Sequence, residues 1–155
     1  MRVYLIRHGE AGMAHPDSAR QLTPAGRAEA AAIARFLRRN HASAGAVWHS
    51  AKTRARETAE IVRLEAGFTG DLIEHRGLLP ADHPGEVAGA IDAESDDLCV
   101  VGHLPHLAYL ASALLVGPNA NPFAIFETAS ALCVERDGNS HWHLRWMISP
   151  AQLQE

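Results

Sequence analysis

Cysteine is scarce in this chain. Cys99 and Cys133 are the two in 155 residues. Each lies inside an apolar run and there is no Cys-x-x-Cys, so a disulfide framework or a thiolate metal site is not expected; both read as small buried strand residues. No apolar run comes near the roughly 18 residues that a membrane span requires. A basic excess is missing too: 14 Lys and Arg against 18 Asp and Glu give a formal net charge of -4. That argues against a general nucleic-acid surface while leaving room for a local positive pocket. His-Glu-x-x-His and Cys-rich spacings are lacking, so the ten histidines do not suggest a metal cofactor. His141 and His143 alternate on a strand and His103 and His106 lie three apart, but neither pair supplies three or four convergent ligands. Nothing precedes the first apolar run, which leaves no room for a cleaved leader, and the expected location is the cytoplasm. There is no repeat, low-complexity segment or linker, so one domain over 1–155 with a sizeable core is expected.

What is present is an alternation of short strands and helices. Arg2–Ile6 reads as a buried strand that stops at Arg7-His8-Gly9. After a polar loop, Thr23-Pro24 opens a helix, Thr as N-cap and Pro at the first helical position; Ala28, Ala32 and Phe36, widened by Ile33 and Leu37, form its apolar stripe. Ala46–His49 is a second strand ended by Ser50. A helix over about 52–65 follows, with Ile61, Val62 and Leu64 as its apolar surface. Residues 72–79 read as extended and 84–91 as a short helix. Leu98–Val101 is a continuous apolar run of the kind parallel sheets bury on both faces. It ends at Gly102-His103 and leads into a helix from Pro105 carrying Leu107, Leu110, Ala111, Leu114 and Leu115. Two strands close the chain, 131–135 and 141–148, separated by the turn signal Asp137-Gly138-Asn139. In the last strand Trp142, Leu144, Trp146 and Ile148 alternate with an outer side that includes His141 and His143. The pattern predicts a three-layer α/β/α domain with a mostly parallel central sheet.

Three strands end in chemistry: at Arg7-His8, at His49-Ser50 leading to Arg54, and at Gly102-His103. If those strands are parallel neighbours, two histidines and two arginines meet at one sheet edge, where open α/β sheets place their ligands. The helices starting near Lys52 and Pro105 would aim their partially positive amino ends at the same place. Such a site suits a phosphoryl group. Arginine forks match its oxygens, and an imidazole kept neutral by flanking arginines is a competent nucleophile. The transfer needs positioning and charge stabilisation rather than a metal.

These motifs give the chain a resemblance to the histidine phosphatase superfamily, of phosphoglycerate mutase-like fold. Arg7-His8-Gly9-Glu10-Ala11 resembles the superfamily signature. The segment Ser50-Ala51-Lys52-Thr53-Arg54-Ala55-Arg56-Glu57-Thr58-Ala59 is similar to its second motif, with Ala51 in place of the usual proline, and Gly102-His103 to its second-histidine motif. Small size, Ser18–Gly26, His103-Leu104-Pro105 and the Trp146–Pro150 ending are most similar to the short SixA-type phosphohistidine phosphatases. The resemblance implies that His8 accepts the phosphoryl group and that Arg7, Gly9, Arg54 and His103 hold it, with Arg20 a substrate-side contact or the anchor of its own loop. It further implies a monomer that needs no cofactor and acts on a phosphohistidine-bearing protein, releasing phosphate, with no nucleic acid or membrane involved.

One departure bears on the substrate. Many superfamily members carry a catalytic glutamate after a Leu-x in mid-chain; Leu78-Leu79-Pro80 has proline there, a pattern the SixA type shares. Alkoxide leaving groups need a proton donor, whereas a protonated imidazole needs one less. Asp82, His83 and Glu86 are the substitute acids at hand. His15, His41, His75 and His83 read as solvated loop residues, His49 as a capped strand end or part of the pocket mouth, and His106 as lining the entrance. The competing functions are a phosphatase or mutase for small phosphorylated metabolites and a non-catalytic phosphoprotein-binding module.

Overall fold

A computed structural model describes residues 1–154. Six strands, β1 (Arg2–Arg7), β2 (Ala46–His49), β3 (Asp71–Glu74), β4 (Leu98–Gly102), β5 (Ala131–Arg136) and β6 (Trp142–Ile148), alternate with four α-helices, α1 (Pro24–Arg39), α2 (Thr53–Ala66), α3 (Pro84–Asp92) and α4 (His106–Leu115). They form one sheet in the order β3-β2-β4-β1-β5-β6. The first four of these run parallel, while β5 and β6 are antiparallel to their neighbours.

Period-2 alternation in the central strands sends successive side chains to opposite faces. Tyr4, Ile6, Val47, Cys99 and Val101 pack against α1 and α2 on one side. Val3, Leu5, Trp48, Leu98 and Val100 pack against α3 and α4 on the other. Both cysteines are buried and free. This is the expected three-layer α/β/α arrangement, and no helix among the described residues is long and apolar enough to cross a membrane.

Several local expectations change. The buried stripe of α1 is Gly26, Ala30, Ile33, Ala34 and Leu37. Ala28 faces water, and Phe36 meets the edge of Trp146, ring centres 5.2 Å apart. Alanines lie on several faces of this helix, so its spacing alone points weakly. On α2, Leu64 is exposed, because Ala55, Ala59 and Val62 form the packed face. Within 72–79, pairing to β2 stops at Glu74 and the chain turns through Gly77, whose φ of 85° suits glycine. In β6 the alternation breaks. The register shifts between Cys133 and Val134, leaving Arg145 as the extra residue. A bulge flips every side chain beyond it to the other face, so Trp146 and Ile148 join one core, Trp142 joins the other, and Leu144 is exposed.

The register places the site. Arg7 pairs with Gly102 and His49 with Val101. His8, Ser50 and His103, each next along its chain or nearly so, therefore emerge together at the carboxyl edge of β1, β2 and β4.

Candidate active site

His8 is anchored on both sides of its backbone: its N–H donates to Gly102 O at 3.0 Å and its carbonyl accepts from Ala129 N at 3.1 Å. Its Nδ1 lies 2.7 Å from Gly9 O. A carbonyl can only accept, so Nδ1 carries the proton and Nε2 holds the free lone pair. His103 is 1% exposed; its ring centre is 5.0 Å from that of His8, and its Nε2 is 2.5 Å from Ser50 Oγ. Ser50 Oγ also accepts the Lys52 N–H at 3.2 Å, and with a second lone pair and its own proton it pairs with either tautomer of His103.

Both imidazoles are biased toward neutrality. Burial, then the charges of Arg54, Arg7 and Arg20, pull His8 down to about 4. Burial, then His8, Arg54 and Lys52, pull His103 down to about 3. A positive field that resists imidazole protonation is the field that attracts an anion.

The arginines are held at their backs. Arg7 Nη1 donates to Phe126 O at 2.9 Å. Arg54 is 5% exposed and its Nη1 donates to Asp17 O at 3.1 Å. Thr58 ties this strand end to α2: its hydroxyl accepts from Gly9 N at 3.0 Å and donates to Arg54 O at 2.8 Å. Gly9 thus has its amide engaged by Thr58, and its lack of a side chain lets α1 approach; a Cβ there would stand 2.6 Å from Gly26 O. Glu29 clasps the same turn, taking Glu10 N at 2.9 Å and Thr128 Oγ1 at 2.7 Å.

Arg20 is occupied by its own loop, with Nε on Gly12 O at 2.8 Å and Nη1 3.4 Å from Asp17 Oδ1, the anchoring alternative expected for it. Asp17 also contacts Lys52 and Arg54. The Lys52 ammonium above all, then Arg54 and Arg20, hold this carboxyl well below the usual carboxylate range. Sequence reasoning assigned no role to Ser50, Thr58, Lys52 or Asp17. Thr58 stands four residues after Arg54, one helical turn, which is the signal that could have placed it against the strand end.

The three substitute acids lie apart from this cluster in bonding terms. Asp82 Oδ2 accepts Leu79 N at 2.9 Å, His83 caps α3 through Gly85 N, and Glu86 lies against Gly77. Asp82 and Glu86 line a cavity of about 320 Å³ that reaches Ala51. A larger groove of about 730 Å³ between α3 and α4 contains Asp82 and the buried His106 but not His8, Arg7, Arg54 or His103. His106 lines that groove. His49 is buried, with Nδ1 on Ser50 O at 2.8 Å, a capped strand end. His75 stacks one face on Trp48, ring centres 4.1 Å apart, and is half-buried. His15, His41 and His83 are exposed as expected. No group of three or more His, Cys, Asp or Glu among the described residues is placed to hold a metal ion.

The model of the histidine phosphatase superfamily (branch 1) matches residues 3–80, and the chain belongs to that superfamily. A structure of the protein histidine phosphatase SixA complexed with tungstate is 28% identical, with a TM-score of 0.91 over 99% of this chain and 100% of that one. A protein assigned as phosphohistidine phosphatase SixA, from Agrobacterium tumefaciens, is 25% identical, with a TM-score of 0.78 over 96% and 97% of the two chains. Phosphoglycerate mutase from Plasmodium falciparum, 19% identical, shares the fold with a TM-score of 0.67 over 94% of this chain and 88% of its own. A search by sequence among curated proteins finds no significant match.

Proposed function

We propose that this protein is a phosphatase that hydrolyses phosphohistidine in a signalling or phosphotransfer protein, working as a monomer without a metal. The observation that carries the substrate class is the make-up of the cluster: Asp82, His83 and Glu86 are engaged elsewhere, and the carboxylate in contact with Lys52 and Arg54 is Asp17, which those cations hold below the usual carboxylate range. A substrate whose leaving group departs without a carboxylic acid fits such a site. The protein histidine phosphatase SixA, similar over the full length, and the tungstate in its structure support the same reading.

His8 Nε2 attacks phosphorus, and the bond from phosphorus to the substrate's imidazole nitrogen breaks. That nitrogen keeps the electron pair, and with a proton already on its other nitrogen the substrate ring leaves neutral. Arg7, Arg54 and His103 hold the phosphoryl oxygens as the charge moves. Water then attacks phosphorus on His8; its hydrogens end on phosphate and solvent, phosphate is released, and His8 Nε2 regains its lone pair. The net change is phosphohistidine plus water to histidine plus phosphate.

Phosphate release from a histidine-phosphorylated protein, set against a panel of sugar and glycerate phosphates, tests this. The protein is expected to be preferred. A large preference for the metabolites would overturn the substrate class in favour of a metabolite phosphatase or mutase.

A further inference from the structure

The phosphate site is edged by apolar side chains that face water. Met13 and Ile125 are each 87% exposed, Phe123 53% and Leu79 41%. They lie on three loops, and each loop is tied to the site. Met13 lies on the loop whose Asp17 carbonyl receives Arg54 Nη1 at 3.1 Å. Ile125 precedes the buried Phe126, whose carbonyl receives Arg7 Nη1 at 2.9 Å. Leu79 shares a cavity with Ala51, which sits between Ser50 and Lys52. The strand registers bring all three loops to one edge: the chain leaves β1 and β3 there, and it enters β5 there, where Ala131 pairs with Ile6. Single exposed apolar residues are ordinary, and Leu64 and Val116, at the far ends of α2 and α4, are of that kind. Four on three loops around one polar centre are a different arrangement.

We infer that this rim docks the body of a phosphohistidine-bearing protein, with Met13 and Ile125 as its principal apolar contacts; the inference rests on the function proposed above. A small metabolite bound among Arg7, Arg54 and His103 would sit at the centre and leave the collar wet. A folded protein whose phosphorylated side chain reaches the centre would cover the collar, burying apolar area around one charged anchor. Methionine suits such a surface because its flexible, polarizable side chain adapts to the partner. His8, Arg54 and His103 are themselves buried, so a phosphorylated side chain has to reach them from the rim while the body of its protein rests on the collar.

The test compares wild type with the double variant Met13→Ser, Ile125→Ser on two substrates. One is a histidine-containing phosphotransfer protein phosphorylated with phosphoramidate; the other is phosphoramidate itself. The variant is expected to lose about tenfold in kcat/KM on the protein, mainly through KM, and to stay within about twofold of wild type on phosphoramidate. Unchanged turnover of the protein would overturn the docking surface, and so would an equal loss on both substrates, which would place the effect in the phosphate site. A wild type that hydrolyses metabolite phosphates but no phosphohistidine would overturn the proposed function, an outcome distinct from either.

Discussion

Nδ1 of His8 donates to the carbonyl of Gly9 at 2.7 Å, so the backbone itself selects the tautomer that leaves Nε2 free. Burial and the arginines keep that ring neutral down to about pH 4. The expected His8 ring titration by NMR therefore has its midpoint near pH 4; a midpoint near 6.5 would show that the site does not exert the field described. The same shift has a stability consequence. Between about pH 6.5 and 4 the unfolded chain binds protons that the folded His8 does not, so stability falls as pH drops through that window, and His103, pulled down to about 3, extends the fall. Denaturant midpoints measured from pH 7 to 4 check the sign.

Arg54 presents a planar fork from a buried position, with Nη1 steadied by the Asp17 carbonyl. Arg54→Lys keeps the charge and loses the fork. The expected loss is on the order of 100-fold in kcat/KM, measured as phosphate release. Near-normal turnover would remove Arg54 from the phosphate site.

Thr58 Oγ1 is the shared partner of Gly9 N and Arg54 O. Thr58→Val preserves shape and leaves the buried Gly9 N–H without a partner, at a cost of about 1–3 kcal/mol. Urea unfolding reads that cost. A lower kcat is expected alongside it, since His8 and Arg54 lose their common brace; an unchanged variant would assign Thr58 to packing alone.

Gly26 admits the turn that follows His8. A Cβ there would lie 2.1 Å from Glu10 O, whereas a Cβ on Gly89 would meet nothing within 4 Å. Gly26→Ala is expected to lower Tm and activity together, because the clash is with backbone. Gly89→Ala, inside α3, is expected to be neutral or stabilising by up to about 1 kcal/mol. Equal melting temperatures for the two variants would contradict the close approach of α1.

The strand ends were legible because continuous apolar runs such as Leu98–Val101 announce buried parallel strands, and the residues that follow them must meet at one edge. The capping chemistry of a helix start made Thr23-Pro24 legible as well: Thr23 Oγ1 accepts Gly26 N at 3.0 Å. Asp17 was not legible, since it reaches Lys52 across 35 positions through a loop whose path no periodicity encodes. Nor was the face reversal in β6, where one extra residue opposite Cys133 and Val134 leaves the composition of the strand unchanged. The lining of α2 misled for a different reason: its alanines pack and its Leu64 does not, an outcome set by the close approach of α1.

The central claim is that the phosphoryl group rests on His8 before water takes it. Rapid quenching of the enzyme with a phosphohistidine protein labelled in its phosphoryl group, followed by peptide mapping under alkaline conditions, tests it most directly. The expected result is an acid-labile label on the peptide containing His8, absent from His8→Ala together with turnover. Label on another residue, or turnover retained by His8→Ala, would contradict the account.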